Sequence, residues 1–337
     1  MRELQIKFGT GSAKGNGKSL IRPLQREKGN WENELSTRRR VDAIMAELDK
    51  MIGLQSIKDL IKELRAFIEI QRRRQREGLI NSTCTLHMIF KGNPGTGKST
   101  VARLMGRLFK ELGVLSQGHL IEVERADLVG EYIGHTAHKA REQLKRAIGG
   151  ILFIDEAYSL ARGGEKDFGR EAIDVLVKGM EDYRDNLVLI LAGYKEEMDY
   201  FLETNPGLRS RFPIQLEFPD YTIAELMAIA KLMVAEKQYV LTPGAMVELE
   251  RILRREVLFG HPYNGNARLV RNIIERAMRR QALRLINKKN LNRQDLMNIE
   301  REDLLPPTMT GEEAFPSDSR SVIITPDSFK NTGVKFN

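Results

Sequence analysis

The stretch "GNPGTGKS" at residues 92–99 constrains this chain more than any other. It meets the spacing G-x-x-x-x-G-K-[ST], in which successive backbone N–H groups curl around a phosphate and a helix N-terminus adds partial positive charge. Such a loop needs a strand entering and a helix leaving. "TLHMIFK" before it reads as a short buried strand. "TVARLMGRLFKEL" after it puts Val101, Leu104, Met105, Leu108 and Leu112 on one helical face. The predicted phosphate site is therefore Gly92, Asn93, Pro94, Gly95, Thr96, Gly97, Lys98, Ser99 and Thr100. A second stretch, "GSAKGNGKSL" at 11–20, ends in the same triplet but is a decoy. Ser12 stands where the first glycine belongs, and Pro23 follows closely. It reads as a flexible arm.

Around the loop, strand and helix patterns alternate. A helix over 41–51 precedes one in which Ile57, Leu60, Ile61, Leu64 and Ile68 form a stripe. Strands are expected at 120–126, 150–155 and 186–194, with helices across 136–148 and near 169–182. This order predicts an α/β fold, a parallel sheet with flanking helices. After Pro219 only helical patterns remain, with Thr222 and Asn292 as caps and no strands. The expected layout is a flexible basic arm over 1–40, an α/β nucleotide-binding domain over 41–221, a small all-helical lid over 222–305 and a flexible tail over 306–337.

Four further features supply chemistry. "ILFIDEA" at 151–157 is a buried strand delivering two acids. Asp155 is placed to hold Mg2+ through water beside Ser99, and Glu156 to polarise a water attacking the γ-phosphate of ATP. The paired acids favour hydrolysis over transfer to a substrate hydroxyl. In "NPGLRSRFP" at 205–213, Arg211, with Arg209 in reserve, is a candidate arginine finger. At that place in the sheet it would point away from its own loop and serve a neighbouring subunit, which requires a ring. In "GNAR" at 265–268, Asn266 can cap a helix whose first turn carries Arg268 toward the nucleotide. "EYIGHT" at 131–136 offers Tyr132, with Ile133, as an exposed gripping loop for an extended polypeptide.

The 337 residues carry a formal net charge of +8, and residues 1–40 hold ten Lys/Arg against four Asp/Glu. Further basic clusters lie at 71–77 and 267–289. No recognition motif accompanies them, so a nucleic-acid partner is not expected, although an ATP-dependent nucleic-acid motor or loader is the alternative reading. The one cysteine, Cys84, suits a reducing cytoplasm. No apolar run reaches the ~18–20 residues a membrane span needs, and the first residues lack a secretory signal.

The ordered set "GNPGTGKST", "DLVGEYIGHTAHKARE", "ILFIDEAYSL", "LILAGYKEEMDYFLETNPGLRSRF", "EFPDYT" and "GNARLVRN" resembles the AAA+ ATPases over about 50–290. The branch is the one holding stage V sporulation protein K and the red-type Rubisco activases, and the likeness is nearer the former. The resemblance implies a cytoplasmic hexameric ring, a homo-oligomer that remodels an unidentified protein substrate, with a sporulation role in view. By position, Lys98 and Ser99 match Walker A, Asp155 and Glu156 Walker B, Arg211 the finger, Arg268 the second sensor and Tyr132 the channel loop. Ile52 and Gly53 resemble the stretch flanking adenine. One departure stands at the end of the fourth strand, where a polar first sensor is usual and this chain has Gly193 and Tyr194.

Overall fold

Short β-branched and aliphatic runs with too few polar groups to face water must be covered on both sides, and parallel strands joined by helices supply that cover. In the computed structural model five such runs form one parallel sheet: β1 (Met88–Gly92), β2 (Leu120–Val123), β3 (Ile151–Ile154), β4 (Val188–Gly193) and β5 (Ile214–Phe218), in the order β2-β3-β4-β1-β5. Every residue of β1, β3 and β4 is buried. The structure describes residues 26–80, 85–132, 134–162, 168–259 and 265–305. The 11–20 stretch, the arm before 26, Cys84, Ile133 and the tail from 306 lie outside the described residues.

The sheet's two faces follow from strand alternation. Ile89, Leu152, Ile154, Leu189 and Leu191 point into one core, shared with Ala140 and Leu144 of α5 (His135–Ala147), Ile173 and Leu176 of α6 (Gly169–Asp182), and Met198 and Phe201 of α7 (Lys195–Thr204). On the other face Phe90 meets Phe153 edge-on at 6.3 Å and Phe218 at 5.0 Å. There α3 (Lys98–Glu111) buries Val101, Leu104, Met105 and Leu108 as its periodicity requires. Packing on that side is close enough that a methyl group at Gly106 would sit 2.6 Å from the Gly118 carbonyl.

Several boundaries differ from the sequence reading, each for a local reason. Helix α1 runs Arg26–Lys50, well before the expected start at 41. Val41, Ile44, Met45 and Leu48 form a buried stripe in its second half, while the polar sequence of the first half gives no periodic signal. Thus residues 26–40, expected in the arm, are helical, and Arg40 pairs with Glu111 of α3 at 2.6 Å. Helix α2 (Gln55–Arg76) buries Ile57, Ile61, Leu64 and Ile68, with Leu60 half-buried. Strand β2 stops at Val123 because Glu124 and Asp127 cap each other's backbone and open α4 (Arg125–Leu128). Strand β5 escaped notice: Pro213 and Pro219 bracket five residues, a pattern suited to the edge position it holds.

The described residues fall into two compact units. One holds residues up to Glu225 together with 265–267, and the other holds Leu226 to 259 and Arg268 to 305. Helix α8 (Pro206–Arg211) completes the first. The second draws on α9 (Ile223–Glu236), α10 (Pro243–Phe259), α11 (Asn266–Leu285), α12 (Arg293–Met297) and α13 (Arg301–Leu304). It is not strand-free, as expected: β6 (Val240–Leu241) and β7 (Asn298–Ile299) pair in parallel, two residues each and too short to leave a period. Thr222 and Asn292 do act as caps, their oxygens accepting from Glu225 N at 3.3 Å and Asp295 N at 2.8 Å. Two buried carboxylates are paired as their burial demands. Glu248 binds Arg251 at 2.5 Å, and Asp303 binds Arg284 at 2.8 Å.

His87, just before β1, is buried and accepts from the Leu189 N–H at Nδ1, 3.0 Å away. Desolvation holds its pKa at about 4, below the ordinary 6.5. Between those values the unfolded chain binds a proton that the folded chain refuses, so stability is full above pH 6.5 and is lost as pH falls toward 4. The loss amounts to about 2–3 kcal/mol from this group. Melting midpoints measured from pH 7 to 4.5 are expected to fall for the wild type and to fall less steeply for His87→Asn. Equal slopes would contradict the assignment.

Candidate functional site

The phosphate loop starts where β1 ends. Gly92 has φ 154°, and a Cβ there would run into the Phe218 carbonyl of the neighbouring strand. The loop closes at Gly97, φ 101°, a left-handed conformation that glycine adopts without strain, and α3 begins at Lys98. Lys98 Nζ donates to the carbonyls of Gly92, at 2.7 Å, and Asn93, at 3.0 Å. Thr96, wholly buried, donates its hydroxyl to the Asn93 carbonyl at 2.8 Å. Ser99 lies in the first turn of α3, half-buried, and Thr100 next to it is exposed.

The segment between α1 and α2 lies against this loop. A Cβ added at Gly97 would lie 3.2 Å from Met51 Cε and 3.6 Å from Leu54 Cδ1. Ile52 and Gly53, both half-buried, lie between those two residues in the chain. Gly53 has φ 65°, and a side chain there would meet the Glu225 carboxylate and the Tyr221 ring. Lys58, buried in α2, donates to the carbonyls of Asp49 (3.1 Å) and Met51 (2.6 Å) and so pins the turn. Neither Lys58 nor Tyr221 was foreseen. A lysine at a core position of the α2 stripe was the available signal.

The acids emerge at the same sheet edge. Register sets Ile154 beside Leu191 and Phe90 beside Ala192, so Asp155 leaves the sheet at the height of Phe90, two residues before the end of β1, with β4 between them. Two inter-strand spacings put that separation at about 10 Å. Asp155 Oδ1 accepts from the Glu156 N–H at 3.0 Å. Glu156 is exposed and has φ 48°, an uncommon conformation for a non-glycine residue, and opens a 3-10 turn, Ala157–Ala161. The acid pair therefore also shapes the turn, as a cap would. No group of three or more His, Cys, Asp or Glu side chains gathers among the described residues. A hydroxyl and one carboxylate do fit Mg2+, which keeps several waters and takes phosphate oxygens rather than a full protein cage.

The departure at Gly193 has a steric reason. A Cβ there would lie 2.7 Å from the Tyr158 ring and 2.9 Å from Met198 Cγ. Tyr158, two residues after Glu156, is buried beside Tyr194, ring centroids 6.0 Å apart, with the Arg162 guanidinium over its face at 4.6 Å. Burial, then the Glu156 charge, raises the pKa of its hydroxyl, keeping it a neutral donor. A tyrosine pair thus stands at the strand ends beside the acids. Its signal was "EAY" together with "AGY", readable only once β3 and β4 are known to be neighbours.

The remaining expected residues are spread out. Arg211 ends α8, three residues before Ile214, which pairs with Met88 at the start of β1. The rise of β1, about 13 Å, therefore separates its level from that of the loop. It donates to the Gly207 carbonyl (2.9 Å) and to Glu181 Oε1 (3.1 Å), while Arg209 is exposed. Tyr132 is 66% exposed, its ring in a T-shaped contact with that of His135, and its loop is anchored where buried Thr136 accepts from the Gly130 N–H at 3.0 Å. Ile133 lies outside the described residues. Arg268 is exposed in the first turn of α11. Asn266, expected as the cap of that helix, is committed by its side chain to the strand side of the loop. Its Oδ1 accepts from the Tyr221 N–H at 2.9 Å.

Residues 88–220 match the family described as "ATPase family associated with various cellular activities (AAA)", and 222–314 match "AAA lid domain". The chain is 50% identical to stage V sporulation protein K of Bacillus subtilis, across 86% of this chain and 91% of that protein. It is 49% identical to the chloroplastic ribulose bisphosphate carboxylase/oxygenase activase of Cyanidioschyzon merolae (79% and 91% covered) and 48% identical to protein CbbX of Cereibacter sphaeroides (77% and 85%). Among solved structures, the FIGL-1 AAA domain in complex with ADP aligns with TM-score 0.50 at 18% identity, over 76% of this chain and 80% of that one, a likeness of fold.

Gly193→Ala is expected to displace Tyr158 and lower the melting midpoint by the equivalent of about 1–3 kcal/mol. Adding Tyr158→Leu should recover part of that loss. Thermal melts of the two variants check this, and a Gly193→Ala chain as stable as wild type would refute the contact.

Proposed function

The chain belongs to the AAA family of ATPases, and from that premise we propose that it assembles into a hexameric ring that uses ATP to remodel a protein partner through a central channel. In this reading the loop 92–99 cradles the phosphates, with the Lys98 ammonium against the transferred group. Ser99 and Asp155 hold Mg2+, which neutralises charge on the phosphate oxygens. Glu156 takes a proton from the attacking water, and Arg211 of one subunit stabilises the charge that develops at its neighbour's site. Arg268 reports the γ-phosphate from the first turn of α11, and Ile52 and Gly53 flank the base.

The observation that carries the reading is the placement of Arg211 at the sheet edge opposite its own phosphate loop. An arginine there has no reach to its own nucleotide. Exposed Tyr132, on a loop with a rigid base, supports the gripping of an extended chain. The relatives' names support a protein target: one is an activase of another enzyme, and the Bacillus protein is named for sporulation, a role proposed here on that likeness alone. No described helix is long and apolar enough to cross a membrane. We place the protein in the cytoplasm.

Arg211→Ala is expected to lower ATP turnover at least a hundredfold, since such fingers contribute about 10³–10⁵ in related phosphoryl-transfer enzymes. Mixing inactive Lys98→Ala with inactive Arg211→Ala should restore measurable turnover, because mixed seams contain one intact set. Persistent inactivity of the mixture would refute the shared site. Glu156→Gln should bind ATP without cleaving it, so light scattering with ATP is expected to report a stable six-subunit mass, and a monomer mass would overturn the ring.

A further inference from the structure

Three consecutive carbonyls of the phosphate loop are engaged from outside it, and the donors trace to one buried residue. The Pro94 carbonyl accepts from Asn266 Nδ2 at 3.3 Å, that of Gly95 from the Ala267 N–H at 3.1 Å, and that of Thr96 from the Tyr221 hydroxyl at 3.1 Å. Ala267 is the chain neighbour of Asn266, and Tyr221 has its N–H held by Asn266 Oδ1. In a planar trans peptide the N–H points away from the C=O. Turning the carbonyls of 94–96 outward therefore turns the N–H groups of Gly95, Thr96 and Gly97 the other way, toward one another's side of the loop.

Asp220 completes the arrangement. Its carboxylate accepts from Asn266 Nδ2 at 2.8 Å and from Asn93 Nδ2 at 3.0 and 2.9 Å. Both ends of the Asn266 amide are thereby committed, which fixes its orientation. The residue is 2% exposed and has φ 45°. Asparagine tolerates that conformation better than most side chains, and its amide offers a donor and an acceptor where aspartate offers acceptors only.

We propose that Asn266 is a positioning residue for the phosphate loop, acting with Asp220 as a clasp that holds the loop's N–H groups converged before nucleotide arrives. The proposal deepens the ATPase reading and rests on it. A loop already organised binds phosphate without first losing backbone freedom. Because α11 starts at the same residue, the anchor of the loop and the start of the helix carrying Arg268 are one point in the chain.

The test measures ATP turnover and binding of a fluorescent ATP analogue on the full chain, for wild type, Asn266→Asp, Asn266→Gly and the pair Asn266→Asp/Asp220→Asn. Aspartate and glycine both accept the left-handed backbone. Asn266→Asp sets two carboxylates against each other and removes the Pro94 donor. We expect analogue binding at least tenfold weaker and KM for ATP raised at least tenfold, with kcat changed by a smaller factor. Asn266→Gly should weaken binding threefold to tenfold, and serves if the aspartate variant does not fold. The paired variant should regain binding relative to Asn266→Asp. A scaffold role alone would lower melting midpoints and leave KM and analogue affinity of the folded protein within twofold of wild type, which would overturn the clasp. A wild type that binds no analogue would sink the ATP reading itself, and the clasp with it, and the two failures are told apart by that one control.

Discussion

The nucleotide edge depends on β1 being flanked on both sides. With β4 and β5 on either hand, its backbone groups are committed to the ladder up to Gly92, and the chain leaves the sheet at a fixed height. The near contact of Gly92 with the Phe218 carbonyl sets how sharply it can turn. The β3–β4 register brings Asp155 out of the sheet within two residues of that height. Strand pairing is thus the geometry of the site, and the helices serve chiefly to keep that pairing dry.

Much of this was readable from residue order, because the informative features are local. A glycine-lysine-serine turn between an apolar run and an amphipathic helix carries its own context, and four strands and most helices followed from periodicity. What escaped reading was either too short or too polar to make a pattern. Strand β5 hides between two prolines, the β6–β7 pair spans two residues on each side, and the first half of α1 shows no apolar stripe. The site divides in the same way. Lys98, Ser99, Asp155 and Glu156 sit in motifs, whereas Lys58, Tyr158, Asp220 and Tyr221 reach the site only through tertiary neighbours. The side chain of Asn266 was read only as a helix cap because a cap is a local idea, whereas its partners Tyr221 and Pro94 are far away in sequence.

The glycine and tyrosines at the end of β4 show how a departure from a family pattern can be a packing solution. The space that a polar sensor side chain would need is filled by the Tyr158 ring, delivered from the adjacent strand. The volume at this corner is claimed by the rings of Tyr158 and Tyr194. Burial keeps the Tyr158 oxygen protonated well beyond neutral pH, so it can only donate or accept as a neutral group. The charges at the corner are those of the two carboxylates and of the Arg162 guanidinium over the Tyr158 ring.

Arg211 already has a partner within its own chain. Its guanidinium rests on Glu181 at the end of α6, a pair in which the carboxylate is 64% exposed. Exposed pairs of this kind contribute only about 0–1 kcal/mol. In the proposed ring the side chain is thus parked rather than locked, held by a tether weak enough that a more concentrated negative charge on a neighbouring subunit would draw it away almost without resistance.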